Sequence, residues 1–382
     1  MNDALIAPDQ HWVLWAVLLG AAAVGVWAER TRWGARLSGA VITIFCTFLL
    51  SNLGVVPVQA PAYDVVWSFF VPLAIPLLLF QADLRRIVRE AGPTLIAFGL
   101  GAVGTVLGTV LAYQLIELGP EGHKLASIFC ATYIGGSMNY AAAAEATRLQ
   151  SGDLLTAGIA ADNLVMTLYF LVLFALPSFP ALRRLYVQRV ETAAKVDGET
   201  VRPATPAASP LRLPGMLLAL GLSACFCAVG YGLAAHTGLS GGGILIVTAL
   251  AVAVATGAPK TMRRVQGADT LGMLFMQIFF AVIGASAHIG TVLRVGPVLF
   301  GFAALILATH LAFLLVFGKL LKLDLLELVI ASNANMGGPT TAAAMAGARG
   351  WNRLIVPAIL CGTLGYAVAT FIGVAVGSWL AG

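Results

Sequence analysis

Gly135-Gly136-Ser137-Met138-Asn139-Tyr140-Ala141-Ala142-Ala143 and Gly337-Gly338-Pro339-Thr340-Thr341-Ala342-Ala343-Ala344-Met345 are the two stretches on which the reading of this chain turns. They stand 202 residues apart, each inside an apolar run of membrane-spanning length. Paired glycines let a helix unwind, and Pro339 strengthens the break in the second stretch. Unwound backbone is tolerated at membrane depth only where protein buries it or where it lines a polar cavity. Two such breaks at matching positions point to a solute site between two repeats.

Working outward, two further matches keep the same order at nearly the same offset. Leu37-Ser38-Gly39 pairs with Leu239-Ser240-Gly241, and Gly92-Pro93 pairs with Gly296-Pro297. An ordered set of this kind is how a duplicated fold shows itself. The polar, proline-ended stretch 181–212 then reads as a linker between a first transmembrane repeat, 1–180, and a second, 213–382.

Composition fixes the solvent of the fold. With 59% hydrophobic and 10% charged residues and a mean hydropathy of +0.92, the chain is far from a soluble domain, where about a quarter of residues are charged. Apolar stretches of roughly 20 residues, each enough to span the hydrocarbon core, recur along its length. These long continuous runs are not the alternating strands of a barrel, so an all-α polytopic membrane protein follows. The run His11 to Glu29 lacks the basic start and small-residue cleavage site of a secretory signal and reads as a retained helix. A net charge of +5 sits mostly in short connections, where it orients a membrane protein, and nucleic-acid binding gets no support. The five cysteines are scattered through apolar segments and lack metal-ligand spacing.

The loop charges bear on orientation. In the first half the basic loops are Arg30 to Arg36 and Arg85 to Arg89; in the second they are Lys260 to Arg264 and Lys319 to Lys322, at the other parity. That shift favours inverted repeats. Yet the apolar segments number twelve, and six crossings per half would leave both halves in one orientation. Either one segment does not cross, with the proline-bearing stretch Phe70 to Phe80 a candidate, or a crossing is missed.

The polar residues around the breaks are expected to face inward. Thr132, Gly135, Gly136, Ser137, Asn139, Asn335, Gly337, Gly338, Thr340 and Thr341 form the expected substrate-binding set. Half-helix N-termini carry partial positive charge that holds a carboxylate, while carbonyl ends with Asn and Ser oxygens suit a sodium ion. The plainer alternative is glycine-mediated helix packing with hydroxyls bonded to their own backbone. Asp162 lies in an apolar segment, where an ionised carboxylate is costly unless paired, hydrated or metal-bound. It is therefore the best candidate to exchange a proton or a sodium ion, with Asn163, Ser332 and Asn333 as further ion-site residues; a solvated helix-end residue is the alternative. Glu145 reads as a solvated end residue, and His288 and His310 as helix-end or interhelical bonding residues. No serine elbow, zinc-protease motif or P-loop lysine motif is found, so no enzyme and no ATP-driven pump is expected.

At Gly135 to Tyr140 and Asn335-Met336-Gly337-Gly338-Pro339-Thr340-Thr341 the chain resembles, over nearly its whole length, the membrane family called domain of unknown function 819. That family looks like a member of the cation/proton antiporter and anion transporter superfamily. The resemblance implies a panel (scaffold) domain and a core transport domain in which the two broken helices cross, often in a homodimer joined through the panel. It also implies that Asp162-Asn163 stands where proton antiporters carry paired acidic or Asn-Asp residues; the order here is Asp then Asn, with a single carboxylate.

Taken together these readings predict a sodium- or proton-coupled secondary transporter in the inner (cytoplasmic) membrane. Its expected cargo is a small organic, anionic solute such as an amino acid, short peptide or carboxylate, with no cofactor beyond the coupling ion. The alternatives are a cation/proton antiporter without organic substrate and a non-transporting receptor or assembly protein, whose breaks would pack dry.

Overall fold

The structure is a computed structural model that describes residues 4–31, 39–188, 190, 213–237, 242–262 and 264–382. Most of the 181–212 linker, the Leu239-Ser240-Gly241 match, and Leu37, Ser38, Arg32 and Arg36 lie outside the described residues. All extended regular structure among the described residues is helical. In chain order the helices are α1 (His11–Glu29), α2 (Gly39–Asn52), α3 (Pro61–Leu79), α4 (Leu84–Glu90), α5 (Pro93–Leu115), α6 (Gly122–Gly135), α7 (Met138–Thr147) and α8 (Gly152–Ala175). The second half holds α9 (Leu213–Thr237), α10 (Gly242–Gly257), α11 (Ala268–Ala285), α12 (Ile289–Leu320), α13 (Leu325–Ala348) and α14 (Ile355–Leu380). Eight helices among the described residues are long and apolar enough to cross a membrane, and α2 and α10 are shorter apolar helices. The chain is thus a multi-pass membrane protein.

Local sequence explains the boundaries. Asp83 caps α4 by accepting from the Arg86 amide, Ser151 caps α8, and Asp324 with Glu327 forms a capping box at α13. Pro61 and Pro93 occupy the first turns of α3 and α5, where a missing N–H costs nothing. Phe70–Phe80, the candidate for a non-crossing segment, continues a helix over 61–79 that is long and apolar enough to cross despite prolines 72 and 76. A π turn at Val66–Phe70 absorbs the local distortion. Pro76 leaves the Pro72 carbonyl without its helical donor, and Cys227 Sγ donates to it at 3.3 Å while Ser223 Oγ donates to Leu73 O at 2.7 Å.

Helices α1 to α3 and α9 to α11 pack on one another, and α5 to α8 do so with α12 to α14. Trp67 meets Phe279 and Phe70 meets Phe275, so α3 and α11 run antiparallel. Gly108 of α5 lies against Ile306 and Gly104 against His310 and Phe313 of α12, so these two are antiparallel as well. Their backbones approach so closely that a Cβ on Gly108 would stand 2.8 Å from the Ile306 carbonyl oxygen.

The two glycine-bearing segments behave differently from the spans. Thr341 Oγ1 donates to Asn333 Oδ1 at 2.8 Å and Asn333 Nδ2 to Met345 Sδ at 3.4 Å. Along a straight helix such residues would be about 12 and 18 Å apart. The chain therefore reverses at Gly338, whose φ of +74° and ψ of −168° interrupt α13. Both ends of α13 lie at the C-terminal end of α8: Asp324 accepts from Val190 N, and Arg349 donates to Phe174 O.

The first glycine pair does the same from the other face. α6 begins where α5 ends, and Glu145 near the end of α7 accepts from Tyr231, which packs on Gly243 at the start of α10. The opposite end of α10 meets the end of α3, where Thr256 bonds Ala82 and Leu84, beside the start of α5. Midway, Phe129 of α6 and Tyr140 of α7 both touch Gly158 of α8. Thus α6–α7 and α13 are helical hairpins, and the expectation of two broken helices that cross from face to face is corrected. Glycine permits such a tip, because only it adopts these dihedrals without strain, and the contacts across each tip fix the reversal.

Candidate functional site

The hairpin tips touch. A Cβ on Gly136 (φ +81°) would lie 3.3 Å from the Gly338 nitrogen, and Asn335 Nδ2 reaches Ile134 O at 3.4 Å. Helix α14 runs past both, with Gly362 against Pro339 and Gly365 against Gly135. Each tip is followed by the N-terminus of a returning helix, whose first amides have no intrahelical partner and carry partial positive charge.

Of the expected substrate residues, Gly135 and Gly136 are buried in the first tip and Gly337 and Gly338 form the second. Ser137, Thr340 and Thr341 are exposed beside them. Thr132 and Asn139 are buried and committed to the protein: Thr132 donates to Ile128 O, and Asn139 bonds Gly135 O at 2.8 Å and accepts from Thr370 at 2.7 Å. Asn335 is wholly buried; its Nδ2 also reaches Phe98 O at 3.4 Å, and its Oδ1 has no protein hydrogen-bond partner among the described residues.

The expected ion-site residues separate. Asp162 is buried on α8, and its Oδ1 likewise has no protein partner. The Tyr133 hydroxyl, two residues before the first tip, lies beside that carboxyl without closing a hydrogen bond to it. Asn163 is turned away and bonds Ile159 O in its own helix, and Asn333 is engaged by Thr341. Ser332 is held by Tyr169 at 2.7 Å and His310 at 3.0 Å. The arrangement offers one carboxylate with neutral oxygens, a set suited to a proton or a hard monovalent cation.

Tyr133, Tyr169, Thr105 and Thr370 join the site through packing that no sequence spacing signals. His310 does carry a sequence signal, because an ionisable side chain inside an apolar helix is a functional candidate by default. Glu145, expected to be solvated, is half-buried near the end of α7 and accepts from Tyr231 at 3.2 Å in an exposed contact.

The family model described as protein of unknown function (DUF819) matches residues 16–382. The chain belongs to the DUF819 family. It is similar to the "Uncharacterized membrane protein YjcL" of Bacillus subtilis (strain 168), 37% identical over 390 residues covering 98% of each chain. Both glycine-tipped hairpins fall inside the stretch that the DUF819 model matches.

Proposed function

We propose that this protein is a secondary transporter, coupled to sodium or protons, that carries a small organic anionic solute across the inner membrane. The observation that carries the proposal is the meeting of two glycine tips from opposite faces, with the buried Asp162 carboxyl next to Tyr133 of the arm that enters the first tip. Paired breaks with outward-facing helix N-termini recur in transporter sites, and exposed Ser137, Thr340 and Thr341 argue against a dry packing motif.

Hairpins also answer the parity conflict. If 1–180 and 213–382 are inverted repeats, each contributes five crossings and one hairpin: the eight long helices plus α2 and α10 make ten. The antiparallel pairs α3/α11 and α5/α12 support this reading. We assign α1–α3 and α9–α11 to the panel and the remaining spans and hairpins to the core.

A cation/proton antiporter is the second reading, favoured by three of the five buried side-chain oxygens without protein partners among the described residues, those on Tyr133, Asp162 and Asn335. Flux into proteoliposomes separates the two. Solute uptake driven by a sodium or proton gradient supports the first, and cation exchange alone supports the second. A thermal-shift screen with and without sodium selects the solutes to test, since a ligand stabilises the state it binds. Absence of both fluxes from correctly folded protein, across the solutes so selected, rejects transport.

A further inference from the structure

His310 is 0% exposed at the junction of four helices, and every polar atom of its ring is engaged. Nδ1 stands 2.8 Å from Gly101 O and 2.9 Å from Thr105 Oγ1, both on α5. Nε2 stands 3.0 Å from Ser332 Oγ on the entering arm of the second hairpin, and Ser332 Oγ is 2.7 Å from Tyr169 Oη on α8. Thr105 Oγ1 is also 3.1 Å from Tyr133 O, on the entering arm of the first hairpin.

The donor inventory orients this cluster. A carbonyl oxygen only accepts, so the short contact to Gly101 requires the hydrogen on Nδ1. A neutral ring then accepts at Nε2 from the Ser332 hydroxyl, which accepts in turn from Tyr169. Gly101 O already accepts from Nδ1 and from its own helix, so Thr105 gives its hydrogen to Tyr133 O and turns a lone pair toward Nδ1. Both hairpins are thereby fastened to one imidazole, the second through Ser332 and the first through Thr105.

We propose that His310, as the neutral Nδ1–H tautomer, is the positioning residue that holds the entering arms of both hairpins in register so that their glycine tips meet. It touches neither tip and acts through Ser332 and Thr105. Its importance for transport rests on reading the tips as the solute site, whereas the positioning itself is a geometric claim that holds or fails without any transport assay.

The test pairs spectroscopy with cross-linking on the full-length protein in nanodiscs. Histidine-selective 15N NMR, with the His310 signals identified by their loss in H310L, is expected to show hydrogen on Nδ1 and a bare Nε2; the reverse tautomer overturns the proposal. Cysteines at Ser137 and Thr340 report the tips through a short bis-maleimide, and cysteines at Glu145 and Tyr231 report a contact away from the hub. Ser332→Ala and Thr105→Val each sever one spoke and are expected to lower tip cross-linking several-fold while leaving the Glu145/Tyr231 yield unchanged. Unchanged tip cross-linking in both variants, or an equal loss at both pairs, rejects positioning in favour of general packing. These two variants decide the question whether or not H310L folds.

Discussion

A methyl group on Gly338 would meet the Tyr366 hydroxyl at 2.7 Å, on a backbone whose φ of +74° and ψ of −168° only glycine adopts readily. Gly338→Ala is therefore expected to cost about 1–3 kcal/mol of stability. Gly136, with φ +81° and ψ 176°, is expected to behave alike. Gly347 is the control: it sits in the returning arm of α13 with nothing within 4 Å of an added Cβ, so Gly347→Ala should be neutral or stabilising by up to about 1 kcal/mol. Thermal unfolding in detergent reads all three. At Asp162 the expected effect is functional. Asp162→Asn removes the one carboxylate placed near Tyr133 and is expected to abolish gradient-driven flux while leaving the unfolding temperature within a few degrees. Intact coupled flux in that variant would remove Asp162 from the ion site.

At the scale of elements, the question is whether α6–α7 and α13 cross or return. A hairpin puts Glu121 and Thr147, which flank α6–α7, on one face, and Lys322 and Gly350, which flank α13, on the other. Single cysteines at these four positions, probed in oriented vesicles with a membrane-impermeant maleimide, should label as two same-side pairs on opposite sides. Spanning helices would split each pair. Sequence located both breaks to the residue, because Gly-Gly inside an apolar run is a local signal. It did not distinguish a kink from a reversal, since both use the same glycines; the difference lies in contacts such as Thr341 to Asn333 and Met345. Under the proposed inverted repeats, the parity conflict is what that reversal looks like in the sequence.

For the whole molecule, the helix directions gather the basic loops. Arg30, Arg85, Arg86, Arg89, Arg183, Arg184, Lys260, Arg264, Lys319, Lys322, Arg349 and Arg353 fall on the face where α5 begins, whereas Lys124, Arg148 and Arg294 fall on the other. Excess Lys and Arg marks the cytoplasmic side. Cysteines at Lys260 and Lys319 in intact cells should therefore be protected from an impermeant reagent, while one at Glu117 should react; the opposite pattern would invert the orientation.

Membrane residence, helical class, the two break points and a buried acid at Asp162 were determined by the sequence alone, because hydropathy, glycine pairs and an intramembrane charge each act locally. The tertiary structure decided that the breaks are hairpin tips in contact, that Asn163 faces away, and that Ser332 answers to His310 and Tyr169. Those facts depend on which helices lie side by side, and close packing across hundreds of residues leaves no period or spacing in the chain from which to read them.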